Sequence, residues 1–373
     1  MRIGILTSTR ADYGIYHSLL DALATNAEVT FGLFVFGTHL SEEHGATVRM
    51  IEADGYDIYE RIDTMPEKDN AAGISLAMGK TITAFSSVWD KWNDKLDVVV
   101  ALGDRYEMFA AVAAAVPFSI DVAHLHGGET SLGAIDDKFR HALTQMSALH
   151  FTATQAYADK VVSMTGSDQH VYYVGAPSLD GINELLLSVT ELKNRFGTDF
   201  DQPTILVTFH PETVAMQKNE QYGIEICEAL DHLTERYQVV ITMPNADTMG
   251  SVLRKQFLNL SNSNDQVVTI ESFGKIGYFS AMRHCAFLLG NTSSGIIEAA
   301  SFGKFAIDLG ERQTGRAHSD NLVRVPVVTQ EILSAVAALE IQGLAYAGGN
   351  VYEKGTFAAP EIAQLLKQYV DEA

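Results

Sequence analysis

The sequence predicts an α/β protein built from two Rossmann-like, doubly wound domains that face a central cleft. Short apolar segments rich in β-branched residues, such as 97–102 and 204–209, alternate with amphipathic helical segments in both halves of the chain. A chain of 373 residues also exceeds what one hydrophobic core usually supports. Because the alternation of strand and helix occurs twice, we predict one parallel sheet in each domain.

Composition and charge narrow the classes of function. Hydrophobic residues make up 47% of the chain and charged residues 20%, which is typical of a folded globular protein. The formal net charge of -21 argues against a nucleic-acid partner, because phosphate binding needs a basic surface. The chain enters a strand at residue 2 without a signal-peptide pattern, and no apolar segment is long enough to cross a bilayer, so we expect a cytoplasmic protein that does not bind membranes. Cys227 and Cys285 lack metal-ligand spacing and are predicted to be buried apolar residues.

The predicted domains meet where proline and glycine interrupt a strand. We predict an N-terminal domain over residues 1–176, a C-terminal domain over 177–355, and a C-terminal helix over 356–373 that packs back on the first domain. After Pro177 a new helix is expected to begin at Leu179. A helix is also predicted over 43–55, with the glycine at its end as the cap.

An acidic, histidine-rich stretch, residues 124–141, is the first candidate site. Its sequence is HLHGGETSLGAIDDKFRH, and its carboxylates are Glu129, Asp136 and Asp137. We expect the pair of glycines at 127 and 128 to let the backbone approach a ligand closely. Carboxylates crowded in one site raise each other's pKa toward values useful for acid–base chemistry.

A second acidic turn lies just upstream of this stretch. Residues 97–102 read as a buried strand, which ends in Gly103, Asp104 and Arg105 before the helical segment 106–116. Loops at the carboxyl ends of parallel strands converge on one crevice. We therefore expect Asp104 and Glu129 to face the same ligand.

A polar turn follows the first strand and precedes a helix. This turn lacks the pattern G-x-G-x-x-G, so nicotinamide and flavin binding are disfavoured. Its hydroxyl residues, with Arg10 at the helix N-terminus, favour a phosphate. The alternative is that Arg10 only pairs with Asp12 on the surface.

Two loops of the second half place polar residues directly after predicted strands. His210 follows one strand in FHPET, and Asn245 follows the next in MPNAD. A single histidine is more often structural than functional, but this position at a strand end favours a site.

The strongest single motif is LLGNTSSGIIEAASFG. A strand ends at Gly290, three hydroxyl residues follow (Thr292, Ser293 and Ser294), and a helix begins near Gly295 with Glu298 one turn in. Such an N-terminus can bind a pyrophosphate, and the glutamate can accept both hydroxyls of a ribose. The alternative is an ordinary capped helix with an exposed glutamate. Beyond the next strand, Arg312 and Arg316 would offset the charge of a diphosphate.

Taken together, these motifs resemble those of a known family. STRADYG, LGDRYE, HLHGGE, AIDDKFRHA, FHPET, PNAD, GNTSSGIIEA and LGERQTGR occur in order over nearly the whole chain. They are similar to the hydrolysing UDP-N-acetylglucosamine 2-epimerases, enzymes of sialic and other nonulosonic acid precursor synthesis with the two-domain fold of the GT-B glycosyltransferases. The resemblance implies a homodimer or homotetramer.

The resemblance also implies roles for the candidate residues. The N-terminal domain would act on the sugar through Asp104, Glu129 and either Asp136 or Asp137, with the base at C2 left open. His210 would lie near the diphosphate. The C-terminal domain would carry most of the UDP site, whose implied residues are Arg10, Arg105, Asn245, Ser272, Phe273, Thr292, Ser293, Ser294, Glu298, Arg312 and Arg316.

The chemistry of such a reaction fits these residue types. A base removes the proton at C2 while UDP leaves C1, and water then adds to the glycal to give the free 2-epimer. This scheme requires no metal and no cofactor. Three alternatives remain open: the same reaction on a UDP-linked 2,4-diacetamido-2,4,6-trideoxy sugar for legionaminic acid synthesis, a GT-B glycosyltransferase, and a non-catalytic UDP-sugar binder.

Overall fold

The computed structural model describes residues 1–42, 45–66, 68, 70–212, 216–244 and 250–372. The chain forms two compact units. The first contains residues 1–129, 136–181 and 352–372, and the second contains 130–135 and 182–351. The main passage between them thus follows Gly181, a few residues beyond the boundary predicted at 176.

The first unit is built on a parallel sheet of seven strands in the order β3-β2-β1-β4-β5-β6-β7. Its strands are β1 Arg2–Thr7, β2 Thr30–Phe36, β3 Ile58–Ile62, β4 Val98–Leu102, β5 Val122–Leu125, β6 Leu149–Thr152 and β7 Val171–Tyr173. Its helices are α1 Arg10–Ala24, α2 Val48–Asp54, α3 Ala71–Trp92, α4 Tyr106–Ala115, α5 Asp136–Met146, α6 Gln155–Thr165 and the C-terminal α13 Ala358–Glu372. The strand order reverses between β1 and β4, the place where such sheets bind ligands.

Alternate residues of the strands bury opposite faces of this sheet, as the period of two requires. On β2, Leu33 and Val35 pack in one apolar core with α1 and α13. Phe34 and Phe36 pack in the other core, against α3 and α4. The C-terminal helix is therefore part of the core of the first unit.

The second unit has a parallel sheet of six strands in the order β10-β9-β8-β11-β12-β13. Its strands are β8 Thr204–Thr208, β9 Gln238–Thr242, β10 Val267–Ile270, β11 Phe287–Gly290, β12 Ala306–Leu309 and β13 Leu322–Val325. Its helices are α7 Val189–Phe196, α8 Asn219–Leu233, α9 Gly250–Ser263, α10 Gly274–His284, α11 Ser294–Ile297 and α12 Thr329–Gln342. Here the order reverses between β8 and β11.

Two predicted helices are corrected by the structure. No helix begins at Leu179, because residues 177–179 form only a 3-10 turn, and the next α-helix starts after Ser188, whose side chain caps it. Of the helix predicted over 43–55, residues 43 and 44 lie outside the described residues. Gly45 and Ala46 adopt positive φ, which is not helical, so the helix begins only at Val48. Strands β3 and β13 and helices α7 and α12 were not predicted. No helix in the described part of the chain is long and apolar enough to span a membrane.

Candidate active site

Asp104 lies in the turn after β4, and its carboxylate pairs with the guanidinium of Arg140 on α5. Arg140 is 1% exposed and Asp104 is 23% exposed, so the pair is largely withdrawn from water. Removing one member of such a pair is costly, because the other charge stays buried. We did not predict Arg140 as a site residue. Its one sequence signal was its place one helical turn after Asp136.

His124 supports the turn that carries Asp104. Its Nε2–H donates to the carbonyl of Gly103, at 2.8 Å, and its Nδ1 lies 3.3 Å from the hydroxyl of Thr144 on α5. Burial lowers the pKa of His124 to about 4, because the interior disfavours the charged imidazole. A neutral histidine inside β5 therefore holds the turn that precedes Asp104.

Glu129 pairs with a second histidine of the same stretch. The Nδ1 of His126 lies 2.6 Å from Oε1 of Glu129. Side-chain exposure is 9% for His126 and 1% for Glu129. A buried carboxylate needs such a partner, and the predicted sugar-end acid is thus one half of a histidine–carboxylate pair.

The glycines of the stretch serve a different purpose from the one we predicted. At Gly128, where φ is 78°, a Cβ would stand 2.6 Å from the carbonyl oxygen of Tyr157. At Gly127 it would stand 3.1 Å from Nδ1 of His124. The space beside both glycines is filled by protein, so they bring the loop close to its neighbours and not to a ligand.

Asp136 and Asp137 form the first turn of α5, where the helix dipole favours negative charge. The carboxylate of Asp137 lies 3.5 Å from Nε2 of His141. The pKa of His141 is lowered, first by burial and then by the nearby ammonium of Lys160. Both acids therefore lie on the helix that also presents Arg140.

The turn after β1 encloses Asp12. Its carboxylate accepts hydrogen bonds from the amides of Ser8 and Thr9, at 3.1 and 3.0 Å. Burial alone would raise the pKa of Asp12, but His39, the Thr7 hydroxyl and the Ser8 amide hold it below its usual value. Asp12 is only 5% exposed, so the alternative that it forms a surface pair with Arg10 is wrong. Arg10 is the first residue of α1.

Arg105 was assigned to the nucleotide, and the structure places it at the N-terminus of α4. Its Nε lies 3.2 Å from Oε2 of Glu107, and a second guanidinium nitrogen lies 3.1 Å from Oε1. Because Glu107 is 1% exposed, this bidentate pair anchors Arg105 to its own helix.

In the second unit, His210 follows β8 and is held through its backbone. Its amide donates to Oδ1 of Asn291, at 2.7 Å, and its carbonyl accepts from Nδ2 of the same residue, at 2.8 Å. Asn291 follows β11 and is fully buried. The two loops at the strand-order reversal are thus joined by one side chain, which we did not predict.

The loop after β12 joins the same network. Arg312 donates to the carbonyl of Pro211, at 2.6 Å, and Gln313 donates to the carbonyl of Asn291, at 2.8 Å. Arg316 lies farther along, with its Nε 3.4 Å from the hydroxyl of Ser131. The structure therefore brings together the loops that carry His210, Asn291 and Arg312.

The hydroxyl-rich motif after β11 opens a helix of one turn. The hydroxyl of Thr292 accepts from the amide of Ser294, at 3.4 Å, whereas Ser293 has helical φ and ψ and makes no side-chain cap. Glu298 ends this helix and is 5% exposed. The alternative of a capped helix with an exposed glutamate is therefore wrong.

The remaining predicted residues lie away from this network. Ser272 and Phe273 follow β10, two strands from β8, where the Ser272 hydroxyl accepts from the amide of Gly274 and Phe273 packs on Phe196. Asn245 lies outside the described residues.

Comparison with known proteins places the chain in a family. Residues 21–367 match the family model described as UDP-N-acetylglucosamine 2-epimerase. The chain is 33% identical to a UDP-N,N'-diacetylbacillosamine 2-epimerase (hydrolyzing) from Legionella pneumophila, over 98% of this chain and 95% of that one. It is 29% identical to a GDP/UDP-N,N'-diacetylbacillosamine 2-epimerase (hydrolyzing) from Campylobacter jejuni, over 86% and 83%.

The fold has solved counterparts as well. A crystal structure of the UDP-GlcNAc 2-epimerase from Neisseria meningitidis bound to UDP-GlcNAc superimposes with a TM-score of 0.80, covering 100% of both chains at 17% identity. The two parallel sheets with their helices are therefore the two-domain, GT-B-like α/β fold. The chain belongs to the UDP-N-acetylglucosamine 2-epimerase family and is a UDP-sugar 2-epimerase.

Proposed function

We propose that this enzyme is a hydrolysing 2-epimerase: it eliminates UDP from a UDP-2-acetamido sugar, inverts C2, and releases the free sugar. The observation that carries the proposal is the set of acids and bases at the ends of the neighbouring strands β4 and β5. Asp104 with Arg140, Glu129 with His126, and the acids on the first turn of α5 all belong to the first unit. A glycosyltransferase or a passive binder has no need of so many proton-transfer groups.

Inversion at C2 requires acid–base groups on both faces of the sugar. One group takes the C2 proton while the C1–O bond breaks and UDP leaves with the electron pair. A second group returns a proton to the opposite face as water adds its oxygen to C1. The several carboxylates of the first unit fit this demand, and Arg140 stabilises the ionised form of Asp104.

The second unit supports nucleotide binding. Its loops after β8, β11 and β12 carry Arg312, Glu298 and the hydroxyl residues. Hydrogen bonds between these loops hold them in place. Loops that are already ordered lose little conformational entropy when a diphosphate binds. Arg10, at the N-terminus of α1, is the predicted phosphate contact of the first unit.

The identity of the sugar is the finer part of the proposal. The activities for which the Legionella and Campylobacter relatives are named favour a UDP-2,4-diacetamido-2,4,6-trideoxy sugar. UDP-N-acetylglucosamine is the second candidate, favoured by the name of a Neisseria meningitidis relative that is 28% identical. The two differ at C4 and C6, where the groups that select a sugar would have to lie.

Product analysis tests the proposal. The enzyme is incubated with EDTA and either sugar nucleotide, and with the GDP-linked diacetamido sugar as a third arm, while NMR follows the sugar products. We expect free 2-epimerised sugar in equal amount to nucleoside diphosphate, and faster turnover of the UDP-linked diacetamido sugar. Epimerised sugar still joined to UDP would contradict hydrolysis, and inertness toward all three would contradict the proposed function.

A further inference from the structure

His126 occupies an unusual backbone conformation. It follows β5 directly, its amide donates to the carbonyl of Phe151 at 3.0 Å, and its φ is 62°. This left-handed region favours glycine, and a histidine there is strained unless the surroundings fix it. Strain of this kind gathers at functional sites, where it orients a side chain.

The side chain that this backbone presents is half of a buried pair. Because a carboxylate only accepts, Glu129 fixes the proton of a neutral His126 on Nδ1 and leaves the lone pair on Nε2. Nε2 is buried, yet it has no hydrogen-bond partner among the described residues. Buried polar atoms nearly always have a partner, so this nitrogen is available to a ligand.

His124, two residues earlier in the chain, uses its ring nitrogens differently. Both ring nitrogens of His124 bind protein groups, which makes it a structural brace. In His126 one nitrogen faces a carboxylate, and the other is buried with no hydrogen-bond partner among the described residues. That arrangement is the one by which a carboxylate orients a histidine for proton transfer.

We propose that Nε2 of His126 is the base that removes the C2 proton, and that Glu129 orients His126 and does not itself take the proton. This inference rests on the proposed function. In the step, the C2–H electron pair forms the C1–C2 double bond, the C1–O bond breaks, and UDP leaves with its electron pair. The proton ends on Nε2, and the imidazolium is stabilised by Glu129. Water then adds to the glycal: the electron pair of the double bond takes a proton at C2 from one of the acids, and the water oxygen bonds to C1. The proton that the water loses restores that acid, and His126 releases its own proton to solvent.

Three variants separate a base from a positioning residue. His126→Asn keeps an N–H donor near Nδ1, tolerates the left-handed backbone, and lacks Nε2. We expect it to lower kcat by roughly 10²–10⁴-fold, the range for loss of a general base. Glu129→Gln should also lower kcat, and the double variant should be no slower than the slower single variant, because the two residues act as one unit. UDP affinity should not change in any of them.

The control is His170→Asn, which makes the same substitution at another histidine of this unit with positive φ, 59°. Its turnover should equal that of the wild type. Circular dichroism and UDP calorimetry establish that each variant is folded.

The outcomes separate the two proposals. Wild-type enzyme that releases no free sugar overturns the proposed function. If the wild type releases free sugar and the turnover of His126→Asn stays within a few-fold of the wild-type rate, only the assignment of the base is overturned. A Glu129→Gln variant that is inactive while His126→Asn is active would make Glu129 the base.

Discussion

The two units build their polar loops in different ways. In the first, buried ionisable groups pair with each other: Asp104 with Arg140, and Glu129 with His126. In the second, the loops are joined mainly by amides and backbone carbonyls, as where Asn291 binds both backbone groups of His210. Carboxylates and imidazoles can exchange protons with a reacting substrate, whereas amides and backbone carbonyls only fix geometry. Under the proposed function, this difference corresponds to chemistry in the first unit and nucleotide binding in the second.

The largest expected effect comes from neutralising the acid of the first unit. Asp104→Asn removes the charge that pairs with Arg140, and kcat should fall by roughly 10²–10⁴-fold while UDP affinity stays constant. Steady-state turnover and UDP calorimetry measure the two quantities. The matched control is Asp94→Asn, an exposed aspartate of the same unit, which should leave both unchanged. If UDP affinity fell as far as turnover, the division between the units would be wrong.

Lowering the pH should destabilise the first unit and stabilise the second. Burial lowers the pKa of His124 and of His150 to about 4, from an ordinary value of 6.5. Their neutral forms stabilise the first unit above pH 6.5, and this contribution is lost as the pH falls toward 4. At pH 5 the loss is about 2 kcal/mol per histidine.

The second unit contains a buried acid with the opposite shift. Burial raises the pKa of Asp308 to about 6, so its contribution to stability is present below pH 3.8 and is lost as the pH rises through 6. Hydrogen exchange, corrected for the intrinsic rate at each pH, should show protection falling in the first unit between pH 7.5 and 5 and rising in the second. Asp308→Asn should abolish the rise. If lowering the pH reduced protection in the second unit before the first, this assignment would be contradicted.

Loss of nucleotide contacts should have a smaller effect. Replacing Glu298 by Gln or Arg312 by Ala should weaken UDP binding by roughly 1.5–3 kcal/mol, the range for hydrogen bonds to charged groups. Calorimetry measures the change, with Arg236→Ala on the surface of the same unit as the control. Unchanged affinity in both test variants would remove these residues from the nucleotide site.

The smallest effect is expected at the amide that joins two loops. Asn291→Ala leaves the backbone groups of His210 without that partner and should lower the free energy of unfolding by about 1–3 kcal/mol. Asn291→Asp keeps the acceptor for the His210 amide, but it buries a charge and sets a carboxylate oxygen against the His210 carbonyl, so it should lose at least as much. Urea unfolding measures the free energy of unfolding of each variant. An Asn291→Ala variant as stable as the wild type would show that the amide does not hold the loop.

Most strands and the polar turns after them were predictable, because a buried parallel strand is apolar throughout and polar residues mark its end. The edge strands β3 and β13 are only partly buried and were missed. Asp104 after β4 and His210 after β8 are examples. Partners within the site were not predictable in the same way. Arg140 and Asn291 meet residues 36 and 81 positions away, and local periodicity carries no information on such pairs.

The segment 130–135 shows the same limit. It lies between Glu129 and Asp136, yet it belongs to the second unit, where the amide of Leu132 donates to the carbonyl of Thr314 at 3.0 Å. Gly133 permits this contact, since a Cβ there would stand 2.4 Å from the carbonyl oxygen of Glu311. The glycine was visible in the sequence, but the backbone that it meets was not.

Isotope labelling of the wild-type reaction tests most directly whether proton transfer and C1–O cleavage occur as proposed. The enzyme acts on the UDP-linked 2-acetamido sugar in deuterated, oxygen-18 water, and NMR and mass spectrometry follow the products. We predict one solvent deuteron at C2 and the heavy oxygen at C1 of a free sugar with inverted C2, with no label in UDP. Retention of the C2 proton would contradict acid–base chemistry at C2, and heavy oxygen in UDP would contradict cleavage of the C1–O bond.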